Sequence, residues 1–207
     1  MPSTQNTPWE SLVKWTATAF ILAGLFRLVN MGIYQSGQLF ESFSAPELAL
    51  DVSILLAFEL AFVGLLGLYP RLREKHPRLA LVGVLLAILS GVSLMIITPA
   101  EYILGGQEPP AYLIPFQIAY FLGIPLSFLV FGGLSVRARS PPLSVGVLLI
   151  LGGTSWLLFL TGSQTLIDVG AYIFAITLNR STLLISQRRL NSVFESVSAR
   201  FPKQLPT

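Results

Sequence analysis

Cysteine is absent from this chain of 207 residues, and histidine occurs once. The first absence excludes disulfides, thiolate nucleophiles and Cys-ligated zinc. The second leaves no imidazole pair for a metal site and none inside an apolar segment to activate a hydroxyl. His76 lies between Lys75 and Pro77 in a basic stretch and reads as a solvated loop residue. Charge is scarce too: Asp, Glu, Lys and Arg make up 11% of the chain, where a soluble domain carries roughly 25%. No HExxH, GxSxG, Walker A loop or GxGxxG is present, so no motif nominates a metallohydrolase, serine hydrolase, nucleotidase or dinucleotide enzyme.

What the chain has in quantity is long apolar sequence. Apolar residues make up 53% of it, and the mean hydropathy is +0.72, values outside those of soluble domains. About 20 apolar residues at 1.5 Å rise cross a hydrocarbon layer of about 30 Å. Six segments meet that length: 15–34, 48–69, 79–97, 112–134, 143–161 and 166–186. The expected fold is therefore all-α, a polytopic membrane helix bundle of six transmembrane helices over residues 1–186, followed by a basic cytoplasmic tail over 187–207. Residues 1–7 lack the basic start of a cleaved signal, so the first apolar segment reads as a retained helix. In the tail, Leu190, Val193, Phe194 and Val197 recur at helical spacing between Arg188, Arg189 and Arg200. That spacing predicts an amphipathic helix on the membrane surface, with docking to a partner protein as the alternative.

The basic residues sort by side. Apart from Arg27 and Arg180, the 13 Lys and Arg are Lys14, the group Arg71, Arg73, Lys75 and Arg78, the pair Arg137 and Arg139, and the tail residues Arg188, Arg189, Arg200 and Lys203. The alternate gaps, 35–47, 98–111 and 162–165, contain none. Cytoplasmic loops carry the excess of Lys and Arg, which predicts a multi-pass protein of the cytoplasmic membrane with both termini inside. The net charge of +3 is thereby juxtamembrane. Its expected partners are the lipid bilayer and anionic headgroups at the cytoplasmic face, not nucleic acid.

Local chemistry marks helix starts. A Ser or Thr followed three residues on by an acid satisfies two orphan N–H groups reciprocally. Thr7-Pro8-Trp9-Glu10, Ser44-Ala45-Pro46-Glu47, Thr98-Pro99-Ala100-Glu101 and Thr165-Leu166-Ile167-Asp168 have this pattern. The third predicts a separate helical turn ending near Gly105 and Gly106. Glu47, Glu101 and Asp168 are then explained as caps, also favoured by the helix dipole, and Glu41 and Glu108 as loop acids.

Other features are weighed against packing. Pro77-Arg78-Leu79 leading to Val82-Gly83-Val84-Leu85-Leu86 is echoed by Pro141-Pro142-Leu143 leading to Val145-Gly146-Val147-Leu148-Leu149. The match suggests parallel repeats or shared requirements of helix starts. Pro115, Gly123 and Pro125 predict a kinked fourth span, near which Gln117, Tyr120 and Ser127 would line a cavity; the plainer reading is that Pro and Gly are common in membrane helices. Gly64 and Gly67, Gly132 and Gly133, and Gly152-Gly153-Thr154-Ser155 read as close helix packing.

Four charges remain inside apolar segments: Arg27, Asp51, Glu59 and Arg180. Such residues are expensive and need partners. Counted from the cytoplasmic ends of the spans, they lie about 20, 27, 15 and 10 Å deep respectively. Arg27 is then within reach of Asp51 or Glu59, and Arg180 of Glu59. Arg27, Asn30 and Tyr34 share one helix face. Arg27, Asn30, Asp51, Glu59 and Arg180 are accordingly the candidate buried polar or ligand cluster. The alternative is that Arg180 snorkels to the inner interface and Asp51 to the outer headgroups, leaving Arg27 and Glu59 to neutralise one another.

Gly67-Leu68-Tyr69-Pro70-Arg71-Leu72, together with the run from Pro142-Leu143-Ser144-Val145-Gly146 to Gly153, resembles uncharacterised families of prokaryotic six-helix membrane proteins. The resemblance implies a cytoplasmic membrane location, and brings no catalytic residue, metal or cofactor with it. The expected function is that of a non-catalytic membrane protein, a sensor, scaffold or accessory subunit, with a membrane-protein partner or a homo-oligomer. A small solute or ion transporter and a membrane-embedded lipid-modifying enzyme are the alternatives.

Overall fold

A computed structural model describes residues 8–35, 44–104, 108–139 and 143–158, and beyond these 169, 170, 173, 174, 176, 177 and 180. Apolar residues surround most turns of these segments, so each turn can face either lipid or a neighbouring helix, and every regular element among the described residues is helical. The elements are α1 (Pro8–Gln35), α2 (Ala45–Leu66), α3 (Tyr69–Arg73), α4 (Pro77–Leu104), a 3-10 turn (Ala111–Leu113), α5 (Ile114–Ala138) and α6 (Leu143–Trp156).

Four stretches are long and apolar enough to cross a membrane: Trp15–Tyr34, Ala45–Arg73, Pro77–Leu104 and Ala111–Ala138. The protein is a multi-span α-helical membrane protein, and the expectation of six membrane-length helices is corrected to four among the described residues. The fifth apolar segment forms α6, whose 14 residues reach only about 21 Å. Thr154 Oγ1 donates back to the carbonyls of Ile150 and Leu151, and Ser155 Oγ to that of Gly152, as Ser90 and Ser127 do within α4 and α5. Residues 159–161 of this expected segment lie outside the described residues. Most of the sixth expected segment, and the whole tail expected as a surface helix, lie outside the described residues.

One start signal behaves as read: Ser44 caps α2, its Oγ accepting from the Glu47 N–H at 3.3 Å. Thr7, the expected cap of α1, and the Thr165 to Asp168 pattern lie outside the described residues. The third signal, at Thr98, does not behave as read. α4 runs without interruption through Thr98 and Pro99 to Leu104, so no separate turn starts there. Thr98 is buried on the inner face of this helix, and Glu101 sits in its last turn. Pro115 falls in the first turn of α5, where its missing N–H costs nothing, and only Pro125 is interior.

Glycine marks the helix crossings. α1 packs on α2, α2 on α4, α4 on α5 and α5 on α6. A Cβ on Gly64 would strike the Phe20 ring at 2.7 Å, and one on Gly67 would overlap Thr16. At the α4–α5 crossing, Gly83 lies against Val130 and Phe131, and Gly123 against Ser90. Gly132 and Gly146 bring the backbones of α5 and α6 together, but Gly133 faces open space. The echoed Val-Gly-Val-Leu-Leu runs therefore share one role, a glycine set against α5 from either side. The rest of the match is out of phase: Val84 is buried where its counterpart Val147 is exposed, and Val145 is buried where Val82 is exposed.

The ends of the bundle differ in charge. Lys75 Nζ donates to the Ala138 carbonyl, tying the α3–α4 link to the C-terminus of α5, where a cation is favoured. Arg71, Arg73, Arg78, Arg137 and Arg139 consequently share one end. Glu47, Asp51 and Glu101 gather at the other.

Candidate functional site

Arg27 lies on the buried face of α1, only 4% exposed. Its Nη1 donates to Asn30 Oδ1 at 2.6 Å, one turn along the same helix. Asn30 Nδ2 in turn donates across to the Leu50 carbonyl of α2 at 3.0 Å, and Ser53 Oγ donates to the same carbonyl at 2.8 Å. The Arg27 guanidinium also stands over the Phe58 ring, 5.9 Å from its centroid, a distance at which the ring face attracts a cation. Arg27 and Asn30 are thus built into the α1–α2 contact. Tyr34, expected on the same face, is exposed.

Phe58 belongs to an aromatic cluster in the buried core. Its centroid lies 4.9 Å from that of Trp156, 5.4 Å from Phe174 and 6.3 Å from Tyr120. The Tyr120 ring is buried in this cluster. Sequence reading singled out Tyr120 only as a neighbour of the prolines. No local pattern gathers aromatics from 58, 120, 156 and 174.

Asp51 is half-buried in α2 and within electrostatic reach of Glu47 on its own helix and Glu101 on α4. Glu101 accepts a hydrogen bond from Gln117 Nε2 at 3.3 Å. This acid is not a cap: it occupies the C-terminal turn of α4, the end a helix dipole disfavours for negative charge. Its sequence setting points to the opposite end, because Thr98-Pro99-Ala100-Glu101 has the form of a helix start. Among the described residues no group of three or more His, Asp or Glu has the arrangement of a metal site.

Glu59 stands apart from this group. Its carboxylate lies over Gly91 of α4, where an added Cβ would come within 3.0 Å of Oε2 and 3.3 Å of Oε1, with Phe62 beside it. The side chain is half-buried, and Oε1 is enclosed without a hydrogen-bond partner among the described residues. Arg180 is exposed, and no ion pair among the described residues joins Arg27 to Asp51 or Glu59, or Arg180 to Glu59. The five candidates therefore divide into an interior Arg27–Asn30 link, an Asp51 at the acidic end, a Glu59 in the α2–α4 groove and an Arg180 on the surface. Compared with models of known protein families, with curated proteins and with solved structures, the chain finds no match.

Proposed function

We propose that this protein is a non-catalytic component of the cytoplasmic membrane, a sensor, scaffold or accessory subunit that works by binding another membrane component. Its basic end and both termini face the cytoplasm, against anionic headgroups. The observation that carries the reading is the engagement of Arg27: this buried charge serves the α1–α2 contact through Asn30 and Phe58 and, among the described residues, forms no ion pair with Asp51 or Glu59. A transport route built on buried charges needs the opposite arrangement, with cation and carboxylates lining one cavity.

The test is ion and solute flux in reconstituted vesicles. Expected is permeability equal to that of protein-free vesicles, unchanged by Arg27→Ala or Glu59→Gln. A flux above that background which either substitution reduces would overturn the reading in favour of a transporter.

A further inference from the structure

The Glu59 carboxylate lies half-buried between two membrane-length helices, α2 and α4, on a side of the pair that also carries exposed apolar residues. Gly91 supplies the floor. Leu56, one turn before Glu59 on α2, and Ile88 and Met95, one turn to either side of Gly91 on α4, form exposed apolar walls. A carboxylate at such depth needs a donor, because lipid provides none.

Neither cation inside the chain's own apolar segments answers it. Arg27 is committed to Asn30 and Phe58. Arg180 is at the wrong depth, as two contacts show. Trp156 of α6 is level with Phe58, the residue before Glu59. Gly152, one turn back along α6 toward the basic end, meets the Thr177 methyl, and Arg180 is nearly one further turn in the same direction. At 1.5 Å per helical residue, Arg180 lies about 10 Å nearer the basic end than Glu59. Copies inserted in one orientation hold each residue at a common depth, so the Arg180 of a second copy is displaced by the same amount.

We propose that the α2–α4 groove at Glu59 is a docking site for a transmembrane helix of another protein, one carrying a Lys or Arg at the depth of Glu59. Gly91 leaves room on α4 for the carboxylate, the apolar walls pack the flanks of the incoming helix, and the carboxylate pairs with its cation. The proposal rests on the accessory reading above and names the partner's chemistry.

The probe is a synthetic poly-leucine transmembrane peptide with one central Lys, compared with its all-leucine counterpart. Association with the labelled full chain is read by energy transfer in vesicles. The wild type is expected to bind the Lys peptide about tenfold more tightly than the all-leucine peptide, the scale of an interhelical polar contact in lipid. Glu59→Gln, with helicity confirmed by circular dichroism, is expected to erase the difference, and Glu59→Lys to transfer the preference to a peptide with a central Glu. Equal binding of the two peptides by the wild type, or a preference that survives Glu59→Gln, would overturn the proposal. So would energy transfer between labelled copies that displaces the peptide, since the groove would then belong to a second copy. Flux in the vesicle assay would strike the accessory reading and leave the peptide result standing by itself, so the two failures are distinguishable.

Discussion

Asn30 joins two helices through one side chain: its Oδ1 accepts from Arg27 Nη1 at 2.6 Å while its Nδ2 donates to the Leu50 carbonyl at 3.0 Å. An amide is suited to the position because it offers acceptor and donor at once. Asn30→Leu removes both, and deprives a buried guanidinium of an acceptor. A loss of about 2–3 kcal/mol is expected, read as a lowered unfolding midpoint in detergent. Asn30→Asp keeps the acceptor for Arg27 and is expected to recover part of it. Equal midpoints for wild type and Asn30→Leu would refute the link.

Gly132 and Gly133 are adjacent but have different surroundings. A Cβ on Gly132 would lie 2.9 Å from the Gly146 carbonyl oxygen and from the Ile150 nitrogen, backbone atoms that cannot swing away, while one on Gly133 meets nothing within 4 Å. Gly132→Ala is expected to cost about 1–3 kcal/mol by forcing α5 from α6. Gly133→Ala is expected to be neutral or to stabilise slightly, by reducing the freedom of the unfolded chain. Thermal unfolding of the two variants side by side decides this, and equal shifts would refute the packing assignment.

Sidedness is open to direct labelling, because the chain has no cysteine of its own. Single cysteines at Arg73 and Arg139 are expected to react with a membrane-impermeant maleimide from one side. Cysteines at Leu48 and Glu108 are expected to react from the other. Labelling of 73 and 139 from opposite faces would contradict the contact between Lys75 and Ala138.

Glu101 occupies the unfavourable end of α4. Glu101→Gln removes the charge and retains an oxygen for Gln117, so it is expected to raise stability by about 0.3–1 kcal/mol. An increase in the unfolding midpoint is the predicted readout. A clear decrease would show that the carboxylate holds a partner more strongly than the dipole opposes it.

Much of the architecture is written locally. The all-helical fold follows from apolar runs that must satisfy their own backbone, the start of α2 from Ser44 and Glu47, and the polarity of the ends from the spacing of Lys and Arg. Arg27, Asn30, Asp51 and Glu59 are identifiable as exceptional because charge and amide groups in apolar helices have to be accounted for. The failures are also physical. Thr98-Pro99-Ala100-Glu101 has the form of a helix start, but a proline inside a membrane helix is tolerated when neighbours support the turn, and α4 continues through it. The run from Leu143 to Thr161 has the composition of a span, and among the described residues it forms the 14-residue helix α6.

Composition and charge spacing by themselves determined a multi-span helical protein with one basic end, because hydropathy and charge act residue by residue. Only the tertiary structure decided which charges meet. Pairing depends on the rotation of each helix about its axis, and that is set by glycine contacts such as Gly91 beneath Glu59 and Gly132 against Gly146, between residues far apart in the chain. Depth alone allowed Arg27 to meet Glu59; helix rotation turned one toward Phe58 and the other toward α4.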